Sequence, residues 1–252
     1  MNILPVAYNT FKEAVRDKIL YVILMFSLVM IFSSIILSVL SVGQGVRVII
    51  NIGLASISVF GVLITLFIGT SLLNKEIDKK TIYLLLTKPM YRYQFIIGKH
   101  IGLSLTLFVI ISLMTLAFYI LLFFIAPLSP IYIQSIILNY FELVLLVAVA
   151  ILFSTIAPPT MSAIYTLAVY LIGHFSKDLL TFGKMSDSPF MIYFTKFIYY
   201  VIPDLEKLNA KNLVIYTQSL DPHIFWGGIT YALLYTAILL TLSIFIFKFK
   251  EF

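Results

Sequence analysis

The chain has 252 residues, of which 62% are hydrophobic and 11% charged, with 17 Lys and Arg against 11 Asp and Glu and a formal net charge of +6. A soluble domain carries about 25% charged residues, so a chain with a mean hydropathy of +1.08 lacks the polar groups to cover a water-facing surface. A soluble globular protein is therefore excluded, and the absence of cysteine excludes disulfide frameworks, thiolate metal sites and cysteine nucleophiles. In such a chain the positive charge points to loops facing anionic headgroups and not to nucleic acid.

Residues 3–18 pattern as an amphipathic helix. Leu4, Ala7, Phe11, Ala14 and Val15 recur at spacings of three and four, while Asn9, Lys12, Glu13, Arg16 and Asp17 fill the other face. Such a helix lies in the membrane interface. A cleavable signal peptide is the rival reading, disfavoured by Glu13 and Asp17 in what would be its basic region and by the lack of an Ala-x-Ala site. Six apolar runs follow, at 19–42, 48–73, 95–126, 133–156, 161–180 and 224–247, each near or above the roughly 20 residues that cross a bilayer. The second contains Gly53, Ser56, Gly61, Gly69 and Ser71, small residues that allow close helix approach. Pro158-Pro159 breaks the chain between the fourth and fifth runs, since paired prolines cannot continue a helix. The largest non-spanning region is 182–222. Within it, residues 190–202 are apolar and aromatic but too short to cross, which predicts a re-entrant or interfacial helix.

Six spans place both termini on one side, and the basic residues decide which. With the N-terminus cytoplasmic, Lys12, Arg16, Lys18, Lys75, Lys79, Lys80, Lys88, Arg92, Lys99, Lys248 and Lys250 lie inside, leaving outside only Arg47, Lys177, Lys184, Lys196, Lys207 and Lys211. The acids divide almost evenly, so the positive-inside rule predicts N-in and C-in. The expected class is an all-α polytopic membrane protein in the cell membrane.

The chain carries no nucleotide-binding motif: there is no Gly-x-x-x-x-Gly-Lys-Ser/Thr and no Gly-x-Gly-x-x-Gly. His100, His174 and His223 fall in three different segments without ligand spacing and read as interfacial or loop histidines. Glu142 is the one acid inside an apolar run. A carboxylate there is costly in hydrocarbon and marks a candidate gate or translocation residue, unless it faces the headgroups at the outer surface. Asp204 and Glu206, in the external region, are the other candidates for such a role. Glu142, or the Asp204 and Glu206 pair, would also supply the acid–base groups of an alternative reading, an intramembrane lipid-modifying enzyme; a non-transporting subunit of a membrane assembly is a further alternative.

The most informative segment is Lys75 to Gly102. Glu76 and Lys80 form an i,i+4 pair, Ile77, Thr81, Leu84 and Leu85 share a face, and Pro89 ends that helical pattern. Arg92 then joins Tyr91, Tyr93 and Phe95 in an aromatic and basic collar where the third span enters the membrane. A solvated loop has no need of Leu84-Leu85-Leu86 directly before Lys88-Pro89. An apolar cluster on a basic helix asks for a partner groove or a membrane surface.

The N-terminal stretch Phe11-Lys12-Glu13-Ala14-Val15-Arg16-Asp17-Lys18, the pattern Glu76-x4-Thr81-x3-Leu85-Leu86-x2-Pro89, the continuation Arg92-x2-Phe95-x2-Gly98-Lys99 and the late Pro203-Asp204-Leu205-Glu206-Lys207-Leu208-Asn209 together resemble the permease subunits of the type-two ATP-binding-cassette exporter superfamily. The resemblance covers essentially the whole chain. It implies that residues 3–18 are an elbow helix on the inner leaflet and that 182–222 hold external re-entrant helices. It implies a coupling helix in the 75–94 segment, with Glu76, Lys79, Lys80, Thr81, Leu84, Leu85, Leu86, Pro89 and Arg92 docking on a separate ATPase. Pro158 and Pro159 would make a second cytoplasmic contact. ATP would be bound by that partner and the permease itself would need no cofactor. The working unit would contain two permease copies, as a homodimer or heterodimer, and two ATPases.

Overall fold

A computed structural model of the protein describes residues 3–39, 43–71, 91–125, 128–185, 188–211 and 220–249. Among them are nine α-helices and no strand: α1 (Ile3–Val15), α2 (Lys18–Val39), α3 (Gly45–Ile64), α4 (Arg92–Ile125), α5 (Pro130–Ile156), α6 (Pro159–His174), α7 (Ser176–Met185), α8 (Pro189–Val201) and α9 (Pro222–Phe249). A π turn, Thr65–Gly69, extends α3, and a 3-10 turn, Leu205–Leu208, sits between α8 and α9. An all-helical answer is what hydrocarbon demands, because a helix satisfies its backbone groups within one segment. Among the described residues, five helical segments are long and apolar enough to cross a membrane: Lys18–Val39, Gly45–Gly69, Arg92–Ile125, Pro130–Ile156 and Pro222–Phe249.

The bundle is built around α5. It packs on α3, α4, α6, α9 and the 3-10 turn, and is buried on nearly every face, whereas α2 and α9 leave most of their apolar side chains exposed. Three contacts fix α4 antiparallel to α5. His100 Nε2 lies 3.1 Å from the Val144 carbonyl oxygen, the Tyr140 hydroxyl donates to the Ser104 carbonyl at 3.3 Å, and the Tyr119 hydroxyl donates to the Ser129 carbonyl at 3.3 Å. α3 runs parallel to α5, with Gly61 under Leu143 and Gly69 beside Ala150. α9 is also parallel to α5. Gly228 sits by Leu138 near its start, and the Phe247 ring stacks on Phe95 of α4, 5.8 Å between centroids, near its end. One end of the molecule therefore collects the start of α4, the ends of α3, α5 and α9, and the turn into α6.

At that end α1 lies across α4. A Cβ at Gly98 would stand 2.7 Å from Val6 Cβ, and one at Gly102 would stand 2.5 Å from the Ala7 carbonyl oxygen and 2.6 Å from Thr10 Cβ. The Gly98-x-x-x-Gly102 notch is thus the groove that receives α1, the small-xxx-small device of close helix packing. The packed face is Val6, Ala7, Thr10 and Ala14, while Leu4 is 73% exposed. The stripe expected from Leu4, Ala7, Phe11, Ala14 and Val15 is turned by about one position, because the glycine notch accepts the narrow side of the helix. Lys99, 1% exposed, places its Nζ 3.7 Å from Glu13 Oε2 and 5.8 Å from the Phe95 ring centre.

The long run expected at 95–126 is one unbroken helix, α4, of 34 residues starting at Arg92. One element departs from the expected spans. The run expected at 161–180 is not one helix: α6 has 16 residues and ends at His174, and α7 restarts at Ser176. At 1.5 Å per residue α6 covers about 24 Å, short of the roughly 30 Å hydrocarbon layer. It stops where the chain at 203–205 presses on it. A Cβ at Gly173 would lie 2.7 Å from the Pro203 carbonyl oxygen and 2.8 Å from Leu205 Cγ. The short apolar helix expected at 190–202 is present as α8, paired with α7.

Gly102→Val should destabilise the purified chain by about 1–3 kcal/mol through overpacking against α1. The unfolding midpoint in detergent reads it; an unchanged midpoint would mean that α1 is not seated in the notch.

Candidate functional site

An ionised carboxylate inside a helical bundle needs partners, since unpaired burial of charge is costly. Glu142 is fully buried, three turns into α5, and has one. His174, the last residue of α6, places Nε2 2.9 Å from Glu142 Oε1 and Nδ1 3.4 Å from Glu206 Oε2 in the 3-10 turn. The imidazole bridges two carboxylates from different elements. Around it, Asn209 Nδ2 donates to Glu206 Oε2 at 3.0 Å, Lys211 Nζ donates to Ser58 Oγ of α3, and the Tyr170 ring meets the His174 ring edge-on at 4.6 Å. Glu142 Oε2 and both amide atoms of Asn139, one turn earlier on α5, are buried without a hydrogen-bond partner among the described residues.

The 203–211 chain reaches this depth because its apolar residues do. Leu205 and Leu208 are completely buried and Ala210 nearly so, so the turn is anchored in the core and carries Glu206, Asn209 and Lys211 down with it. Asp204 holds the turn from above. Its Oδ1 accepts from Ser176 Oγ at 2.9 Å, its backbone N–H donates to the Tyr231 hydroxyl at 2.8 Å, and Lys207 Nζ lies 3.8 Å from Oδ2 and 4.7 Å from the Tyr231 ring centre. A cleft of about 550 Å³ lined by Lys177, Glu206, Lys207, Asn209 and His223 opens onto the rim of the cluster. No group of three or more His, Asp and Glu side chains poised to hold a metal ion occurs among the described residues.

Of the residues singled out in the sequence, the structure brings Glu142 and Glu206 together through His174 and sets Asp204 just beyond them. Arg92 is engaged within the chain: its Nη1 donates to the carbonyls of Phe247 at 2.9 Å and Lys248 at 2.7 Å, capping the end of α9. Pro158 and Pro159 form the α5–α6 turn, with Pro159 as the first residue of α6 and Ser162 Oγ donating to the Ala157 carbonyl at 3.0 Å. Glu76, Lys79, Lys80, Thr81, Leu84, Leu85, Leu86 and Pro89 lie outside the described residues. His174, Lys211, Ser58 and Tyr170 were not legible as site residues: Tyr170 and His174 share α6, but nothing in the spacing links that helix to Ser58 on α3 or to Lys211 beyond the 3-10 turn. The one available signal was that an acid in an apolar run requires a partner.

A double-mutant cycle on Glu142→Gln and His174→Gln should give a coupling of about 0.5–3 kcal/mol in unfolding free energy, as for contacting groups of one network. Additive effects would mean that the pair does not interact.

No curated protein sequence matches the chain. Residues 4–252 match the family model described as ABC-2 family transporter protein. That span takes in the α1–α4 notch, the α5 hub and the buried cluster alike, and the chain is a multi-pass membrane protein that belongs to the ABC-2 transporter family.

Proposed function

We propose that the chain is the permease subunit of an ATP-driven exporter, powered by a separate ATPase that docks on the 75–94 segment. The family match over residues 4–252 supplies the class. The observation that supports the docking site is geometric. The 72–90 segment joins the end of α3 to the start of α4, the Pro158-Pro159 turn leaves the end of α5, and these are one end of the bundle. The described ends of α3 and α4 that flank this segment thus lie at the same end as the Pro158-Pro159 turn, with α1 across α4 beside them.

In this reading that end is cytoplasmic and the protein sits in the cell membrane with both termini inside. α1 is the elbow helix in the inner leaflet, its exposed Leu4 and Tyr8 turned to lipid. The five long spans are joined by a sixth crossing in which the short α6 is completed from the outside by α7, α8 and the 3-10 turn. Irregular backbone at membrane depth is tolerated where protein covers it, and Leu205 and Leu208 are fully covered. ATP binding closes the ATPase pair and pushes the 75–94 lever. Because this segment connects α3 and α4 in the chain, and both helices pack on α5, the push reaches the hub of the bundle. Two permease copies and two ATPases form the working unit. Glu142, Asp204 and Glu206 belong to the part of the path furthest from the ATPase.

Leu85→Asp and Lys80→Glu should each weaken co-purification of the ATPase and lower permease-stimulated ATP hydrolysis; if neither does, this loop is not the driver. The chain lacks cysteine, so single cysteines report topology directly. A cysteine at Lys12 or Lys248 should resist an impermeant thiol reagent in intact cells, and one at Lys196 should react; the reverse pattern would invert the orientation.

A further inference from the structure

A neutral imidazole carries one N–H and one lone pair. Both ring nitrogens of His174 face carboxylate oxygens, 2.9 Å from Glu142 Oε1 and 3.4 Å from Glu206 Oε2. With both acids ionised and the ring neutral, one nitrogen would point its lone pair at a carboxylate, a repulsive contact in a site closed to water on the Glu142 side. The arrangement is satisfied only when the three groups hold one proton more than that state. The two ends differ in access. Glu206 is about one-third exposed at the charged cleft, while Glu142 is completely buried.

We propose that Glu206, His174 and Glu142 form a proton-binding chain that admits one proton from the cleft to the interior of the bundle. The steps balance. A proton arriving on Glu206 passes to Nδ1 of His174, leaving Glu206 ionised and the ring an imidazolium. The Nε2 proton then passes to Glu142 Oε1, leaving a neutral ring and a neutral carboxyl. No further reactant is needed. The bound proton joins α5, α6 and the 3-10 turn through one imidazole; its loss leaves a repulsive contact among the three. The groups facing the site from the surrounding elements are Tyr170 on α6, Asn139 on α5, Ser58 on α3 and Asn209 and Lys211 beyond the turn. Asp204, Lys207 and Tyr231 form the neighbouring cluster. Lys211 balances one of the two carboxylates, and the proton balances the other.

The test uses the full-length chain in lipid nanodiscs, with isotope-labelled histidine read by NMR and carboxyl groups read by infrared spectroscopy. His100 and His223 serve as internal references, and His174 is assigned by its loss in His174→Gln. At pH 7 an ordinary histidine, with a pKa of about 6.5, is mostly neutral. The expected result at pH 7 is either a doubly protonated His174 or a protonated-carboxyl band that disappears in Glu142→Gln. In Glu206→Gln, a change at the partly exposed rim that leaves the core packing intact, the site should bind its proton at least tenfold more weakly. A neutral His174 at pH 7 with no protonated-carboxyl band would overturn the proposal, as would a proton affinity unchanged in Glu206→Gln.

Discussion

The arrangement of this bundle depends on one constraint: a carboxylate fully enclosed by apolar helices must be given partners from other parts of the chain. Glu142 sits on the most enclosed helix, and its own segment offers it none. Its partner comes from α6, which ends at the level of Glu142, and that partner is held in turn by the 3-10 turn between α8 and α9. Removal of one member of a buried charged pair is far more costly than replacement of the whole pair by apolar groups. The cluster thus requires α6 to stop short, the 203–211 chain to descend and Leu205 and Leu208 to anchor it.

The two ends of the molecule are held by different physics. At the α4 start, packing dominates. Two glycines admit α1 at backbone distance, Phe95 stacks on Phe247, and Arg92 caps α9 where its carbonyls would otherwise lack partners. Around Glu142, hydrogen bonds and charge dominate, and several buried polar atoms have no hydrogen-bond partner among the described residues. α5 packs against elements of both regions.

Much of the fold was legible because hydrocarbon leaves few options. Apolar runs of sufficient length, separated by proline and glycine, specify membrane helices almost without regard to their neighbours, and five of the six expected runs coincide with helices long enough to cross. The boundary that failed, at His174, is set by the approach of Pro203 and Leu205 to Gly173. Nothing local distinguishes that glycine from any other in an apolar run. The orientation of α1 failed by a fraction of a turn for a similar reason: periodicity identifies an apolar face, but the notch that selects among its edges lies some ninety residues away in α4.

What the sequence by itself determined is the class of the protein, its helical segments, the isolated acid in the fourth of them and the family pattern spread across the chain. These follow from composition and local order, which the bilayer reads one segment at a time. Only the tertiary structure decided that Glu142 and Glu206 share a single imidazole, that Lys211 reaches Ser58 and that Arg92 turns inward to α9. Each of these pairs joins segments between 32 and 155 residues apart. Contacts at such separations depend on how helices pack, and side-chain packing between helices leaves no periodic mark in the chain.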